Sequence, residues 1–335
     1  MYYRYKVHKK NKGGLRKLVI LALIVAAAYF GYENRQYIFF WKYTSNKLQK
    51  KVENAEMIAD PEKKKDVLAA IASSLSAYQS ESPTEVLPFL LSGRVYFSLG
   101  EHELGRTFTD LFIHERFRVT DGEARNCFLK SIIYLKKAGA LLDTEKLDPV
   151  YAMLLARACF YTGFIKESQI LALIRHERDE RNDYFKNPED VRFYAVMLIL
   201  NDRAEEGIKL LNHKGKVDSS PGGRMFLAAA ENMAKQYTGA IRHYKDIVDT
   251  VSDTEILKLA HFNLGKIYYS QSLYRESLFH FTGALELDKQ DLASRIWIGR
   301  NYYSMGMKDK ARALWMELLS IDKNNKEIRG LLGIL

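Results

Sequence analysis

The chain has 335 residues, a formal net charge of +10 and an ordinary 47% hydrophobic fraction, enough for two average domains or one elongated repeat domain. The charge suggests nucleic acid, but Arg4, Lys6, Lys9, Lys10, Lys12, Arg16 and Lys17 crowd into the first 17 residues without an acid. The remainder carries 44 basic against 41 acidic residues and no nucleic-acid reader motif, so the surplus belongs to a leader and nucleic acid is not an expected partner.

Residues 1–17 read as a basic cytoplasmic leader. Residues 18–32, "LVILALIVAAAYFGY", form an uncharged apolar run. Cations ahead of such a run orient the amino terminus toward the cytoplasm, which places the body on the far side, in the periplasm of a bacterium. Two readings stand. A 15-residue span rises about 22 Å, short of the roughly 30 Å hydrocarbon core, and Ala26–Ala28 offers a signal-peptidase site. Against cleavage, Tyr29, Phe30 and Tyr32 extend the run with interface-type aromatics. A retained single-pass anchor in the inner membrane is the preferred reading, with a secreted protein after cleavage as the alternative. Residues 33–60 read as a juxtamembrane helix or linker, with Tyr37, Ile38, Phe39, Phe40 and Trp41 suited equally to a membrane boundary or to packing against the body of the protein.

From Lys47 the pattern is helical and amphipathic almost to the end, with the repeat domain over 61–335, and strand signals are absent. Five of six prolines follow a capping residue: Asp60-Pro61, Ser82-Pro83, Asp148-Pro149, Asn187-Pro188 and Ser220-Pro221. A capping side chain accepts from free backbone N–H groups, and proline at the next position has none to lose, so these pairs predict helix starts. Ser82–Glu85 and Thr120–Glu123 also fit capping boxes. Cys127 and Cys159 lack metal-ligand spacing and read as two buried thiols, or as a disulfide if the body faces an oxidising compartment.

The best segments, 258–291 and 292–325, repeat at an offset of 34. Leu264 matches Ile298, Gly265 matches Gly299, Tyr268-Tyr269 matches Tyr302-Tyr303, Ser277 matches Ala311, Phe281 matches Trp315 and Asp288 matches Asp322. The small residues admit a partner helix, and turns at Ser272 and Gly306 reverse the chain. One such pair cannot bury its apolar face, so neighbours must stack. Weaker units start at Gly93 (with Tyr96, Gly100 and Gly105), Ala156 (Gly163, Ser168), Ala195 (Leu198, Gly207, Leu211) and Ala228 (Glu231, Ala240, Tyr244). Pro149, Pro188 and Pro221 each precede the small residue by seven. The long gap from 93 to 156 predicts an extra or degenerate unit around "EARNCFLKSIIYLKKAGALL". The run 175–183, "RHERDERND", reads as a solvated connection, and 326–335 as a capping helix, with docking as the lesser alternative.

This spacing resembles the tetratricopeptide repeat (TPR). The resemblance implies an all-α right-handed solenoid of helix pairs whose first helices line a concave peptide groove. Groove positions carried over from the pattern are Arg94, Phe97, Arg157, Phe160, Tyr161, Lys266, Tyr269, Arg300 and Tyr303. The cations suit an extended acidic or carboxylate-bearing peptide, with Arg as a bidentate donor; alternatively they pair with acids on neighbouring repeats. No phosphate loop, nucleophile elbow or zinc pairing occurs, so no enzyme activity, cofactor or metal is expected. The function implied is a protein–protein interaction scaffold, such as a subunit of an envelope machine (flagellar motor, secretion or envelope biogenesis complex). The alternative is a cytosol-facing receptor or regulator.

Overall fold

The computed structural model describes residues 47–115, 118–120, 122–142, 147–164, 166, 170, 187–213 and 220–334, and all regular structure among them is helical. The basic leader, the apolar run 18–32, the first part of the linker and the charged run 175–183 lie outside the described residues. Among the described residues no helix is long and apolar enough to cross a membrane.

The chain divides into two compact units, 1–91 and 92–335. In the first, α1 (47–56) buries Leu48, Val52 and Ala55, and α2 (Pro61–Glu81) buries Leu68, Ile71, Ala72 and Leu75. Asp60 caps α2 by accepting from the Lys63 N–H. Ser82-Pro83, expected to start a helix, instead ends one: Ser82 is the C-cap of α2, its N–H bonded to the Tyr78 carbonyl. The expected capping box gives way because Glu85 takes the Tyr78 hydroxyl at 3.4 Å. The next helix, α3 (Val86–Leu104), begins three residues after the proline.

The second unit is a series of helix pairs. Its remaining elements are α4 (Phe108–Ile113), α5 (Gly122–Leu142), α6 (Pro149–Thr162), α7 (Pro188–Leu200), α8 (Ala204–His213), α9 (Pro221–Met233), α10 (Tyr237–Thr250), α11 (Thr254–Ser270), α12 (Tyr274–Leu287), α13 (Leu292–Ser304), α14 (Lys308–Ile321) and α15 (Lys326–Leu332). Asp148, Asn187 and Ser220 cap α6, α7 and α9 through side-chain oxygens, with proline at the first helical turn, as the sequence predicts.

Among the described residues, four pairs (α7/α8, α9/α10, α11/α12 and α13/α14) turn on three residues, and the middle one is left-handed: Asp202 (φ 61°), Lys235 (φ 60°), Ser272 (φ 61°) and Gly306 (φ 82°). The following N–H reaches back to a carbonyl of the first helix: Arg203 to Leu198, Gln236 to Glu231, Leu273 to Tyr268, Met307 to Tyr302. This Schellman closure satisfies a carbonyl the helix end would otherwise orphan. Each left-handed residue stands seven positions after its small anchor, which is why the reversal recurs in register.

The anchors do what small residues are expected to do. A Cβ on Gly265 would meet the Phe281 ring at 2.8 Å, and one on Gly299 would meet the Trp315 indole. The Ser277 hydroxyl donates to the Gly265 carbonyl at 2.8 Å, fixing the register of α12 on α11. At the carboxyl end α15 closes the stack. Ile328 joins Ile296, Ala311, Trp315 and Leu318, with Leu331 and Leu332 against them.

The stretch 122–142 is not an extra unit. It is α5, the second helix of the pair begun by α3. Ser131 donates to the Gly93 carbonyl at 2.8 Å, and a Cβ on Gly93 would strike Leu135, reproducing the geometry of Gly265 with Ser277 and Phe281. The small residue of this second helix is therefore Ser131, and Gly105 (φ 60°) is the turn that ends α3. Anchors of the regular pairs lie 12 apart, and here 38, so 26 residues are inserted. Part of that insertion lengthens the end of α3 and the start of α5; the rest lies in 105–121, whose described residues form a strap that holds α4.

Candidate functional site

Of the first helices α3, α6, α7, α9, α11 and α13, four carry the predicted groove positions, α3, α6, α11 and α13, and these positions separate into two groups. Phe97, Arg157, Phe160 and Tyr161 are buried. Arg157, 2% exposed, donates to Asp190 at 3.0 Å, to Glu101 and to the Tyr161 hydroxyl at 3.1 Å. Its guanidinium also lies over the Phe97 ring, 5.0 Å from the centroid. Burial disfavours the charge, but Tyr161 and the two carboxylates outweigh it and raise the Arg157 pKa. Burial pushes the Tyr161 phenol up to about 12, and lifts the Asp190 carboxyl above its usual range while Arg157 pulls it back. A second such node stands beside it. Arg192 donates to Glu189 at 2.8 Å and to the Thr109 hydroxyl at 2.9 Å, with Phe226 under its guanidinium.

Lys266, Tyr269, Arg300 and Tyr303 form the accessible group. Lys266 pairs with Glu115 at 2.6 Å, and Arg300 pairs with Glu327 at 2.8 Å. Arg300 lies 4.6 Å from the centroid of Trp297. Tyr269 packs edge-on to Trp297 at 5.2 Å, and its hydroxyl bonds to Ser304 at 2.9 Å. Tyr303 is half exposed at the end of α13. Arg94 is partly buried on α3.

The expected chemistry, cations beside aromatic rings and taking carboxylates, is present at Arg157, Lys266 and Arg300, and this chain supplies carboxylates at all three. Glu101 and Asp190 come from neighbouring first helices, Glu115 from the strap and Glu327 from the capping helix. Pairing with acids of this chain is the alternative the sequence offered for these cations; spacing could not name the acids, which lie 27 to 151 positions away.

Sequence spacing missed α4. Thr107 accepts from the Asp110 N–H while Asp110 accepts from the Thr107 N–H, a complete capping box, and Phe108 and Phe112 follow one turn apart. That signal was readable. Phe108, Leu111, Phe112 and Ile113 are all buried, each contributing about 1.5–3 kcal/mol. Phe108 meets Phe160, Phe193 and Phe226 at 6.1, 5.2 and 6.3 Å between centroids, and Phe112 meets Phe226 at 4.6 Å.

Cys127 and Cys159 are free thiols, and burial pushes Cys159 up to about 11. Among the described residues, no three His, Cys, Asp or Glu side chains converge to hold a metal ion.

No family model and no curated protein matches this chain. A crystal structure of a tetratricopeptide repeat protein from Parabacteroides merdae is similar to it at 13% identity, covering 86% of this chain and 98% of that one with a TM-score of 0.49.

Proposed function

We propose that the protein is a membrane-tethered interaction scaffold whose first-helix face takes an extended, carboxylate-bearing segment of a partner protein. The observation that carries this reading is the pair of accessible cations, Lys266 and Arg300, on adjacent first helices. Each lies beside aromatic rings and in a surface pair with an exposed carboxylate of this chain. Such exposed pairs contribute about 0–1 kcal/mol, so an incoming carboxylate exchanges for Glu115 or Glu327 at little cost. First helices pack roughly 8–10 Å apart, which an extended chain spans in about three residues. A partner with two acids at that spacing fits both cations.

The tether is the apolar run 18–32, and the basic leader supports an amino terminus in the cytoplasm with the body on the periplasmic side of a bacterial inner membrane. There the scaffold serves an envelope assembly. A labelled peptide with two glutamates three residues apart, titrated into the full chain, tests the face. Saturable binding lost in Lys266→Glu/Arg300→Glu supports it, and unchanged binding by that variant refutes it. Digestion of the carboxyl terminus by protease in intact spheroplasts tests the side, and protection refutes a periplasmic body. Loss of about 3 kDa from the amino terminus in the mature protein, from ~28 residues, refutes the retained anchor in favour of cleavage.

A further inference from the structure

The strap crosses the face on which a partner is expected to lie. In the four regular pairs three residues suffice to join the helices, so the pair architecture does not require it. Leaving α3 at Gly105, it lays α4 over Phe160 of α6, Phe193 of α7 and Phe226 of α9. Glu189 receives two bonds from Thr109, 2.9 Å from its N–H and 2.7 Å from its hydroxyl. Beyond α4, His114 approaches Glu255 and Glu115 pairs with Lys266, both on α11. The chain then returns to α5, and the Val119 N–H bonds to the Tyr161 carbonyl at 3.0 Å. Apolar rings inserted between first helices, with a carboxylate on a face cation, are contacts a bound partner would make.

We propose that α4 is a resident ligand of this face. The surface beneath it recognises, in a partner protein, a short helix with two phenylalanines one turn apart, a capping oxygen just before the first, and a carboxylate after the second. Three observations favour exchange over a fixed plug. A six-residue helix has no stability of its own. It is bounded by two left-handed residues, Gly105 (φ 60°) and Glu115 (φ 53°), which serve as single-residue joints. Its far end is latched by a pair with an exposed acid, Glu115–Lys266, and His114 lies 3.8 Å from the exposed Glu255. What holds α4 is the burial of Phe108, Leu111, Phe112 and Ile113, and a partner helix of the same pattern supplies the same burial. Tethering gives α4 an effective concentration of about millimolar, so the partner prevails through added contacts, including Lys266 once Glu115 has left. This holds whether or not the face also captures acidic segments at Lys266 and Arg300.

The test uses the full chain and a fluorescent peptide with the sequence of residues 106–115. Phe108→Ala/Phe112→Ala in the protein loosens the resident helix and leaves the receiving rings in place. That variant is expected to bind the peptide at least tenfold more tightly than the wild type, and a peptide lacking both phenylalanines is expected not to bind. Equal binding by variant and wild type, or no binding by a variant whose helical circular dichroism is intact, overturns the proposal. Should the variant not fold, hydrogen exchange of the wild type decides. Amides of 108–113 are expected to exchange at least tenfold faster than those of α7 and α9, through local opening, and equal rates overturn the proposal.

Discussion

The pair α3/α5 and the pair α11/α12 are built on the same contacts and differ in what joins them. In each, a glycine admits the partner helix and a serine hydroxyl donates to that glycine's carbonyl at 2.8 Å, with a large side chain over it, Leu135 or Phe281. Three residues connect the second pair, while the first carries the strap. The difference extends to the cations at the position after the anchor: Arg157 is sealed between Glu101 of α3 and Asp190 of α7 and among rings, while Arg300 stays on the surface. A cation follows the anchor on α3, α6, α11 and α13 but not on α7 (Val196) or α9 (Ala229), and the acids that neighbouring helices bring to it set whether it is buried in the fold or stays on the surface.

The sharpest way to break this comparison is to remove the two arginines. Arg157→Ala strands Glu101 and Asp190, and breaking a buried pair costs about 3–5 kcal/mol. A loss of ~2–4 kcal/mol is expected here, since both carboxylates keep some solvent. Arg300→Ala removes a surface pair and is expected to cost under about 1 kcal/mol. Urea denaturation measures both, and equal losses would erase the distinction between the buried cation and the surface one.

Next in size are the anchors. Gly299→Ala drives a Cβ into the rigid Trp315 indole, and overpacking of this kind costs roughly 1–3 kcal/mol. Gly93→Ala meets Leu135, which can change rotamer, and is expected to cost less. The reverse order in thermal melts would mean that the α3/α5 pair is the tighter one.

A smaller effect comes from the turns. Ser272 adopts a left-handed conformation that glycine takes without strain, so Ser272→Gly is expected to gain up to about 1 kcal/mol, and Gly306→Ala to lose a similar amount.

A pH dependence tests the regular end. Burial, with His261 and Lys245 nearby, pushes His280 down to about 4, and burial also lowers His261. The His261 and His280 Nδ1 atoms lie 3.1 Å apart, and Tyr268, Arg275 and Glu276 line the cavity His280 faces. Between pH 6.5 and 4 the unfolded chain binds more protons than the folded one, so this contribution is full above 6.5 and lost as pH falls toward 4. His280→Gln is expected to flatten the pH profile of the urea midpoint over that range.

The helix starts at Pro149, Pro188 and Pro221, the anchors Gly265 and Gly299 and the turns at Ser272 and Gly306 were legible because each depends on residues within a few positions. Ser82-Pro83 misled for the same reason: Tyr78, not a following turn, claims Glu85. The pairing of Gly93 with Ser131 was hidden by the insertion, since an offset search expects its partner 12 residues on. The candidate cations were visible, but their state was not. Whether Arg157 or Lys266 is free for a partner depends on acids brought in by stacking and by the strap, and no local pattern encodes that.

A stack in which each pair touches its neighbours unfolds from its ends, one pair at a time, because its stability is a sum of nearest-neighbour couplings. The strap adds a coupling of another kind. Glu115 and Lys266 are 151 positions apart, so the strap links the pair at its root to α11, across α6, α7 and α9. With α4 buried against α6, α7 and α9, those pairs are expected to open together while it stays in place and in independent steps once it lifts. A partner that displaced α4 would then change how far a disturbance at one pair travels through the molecule.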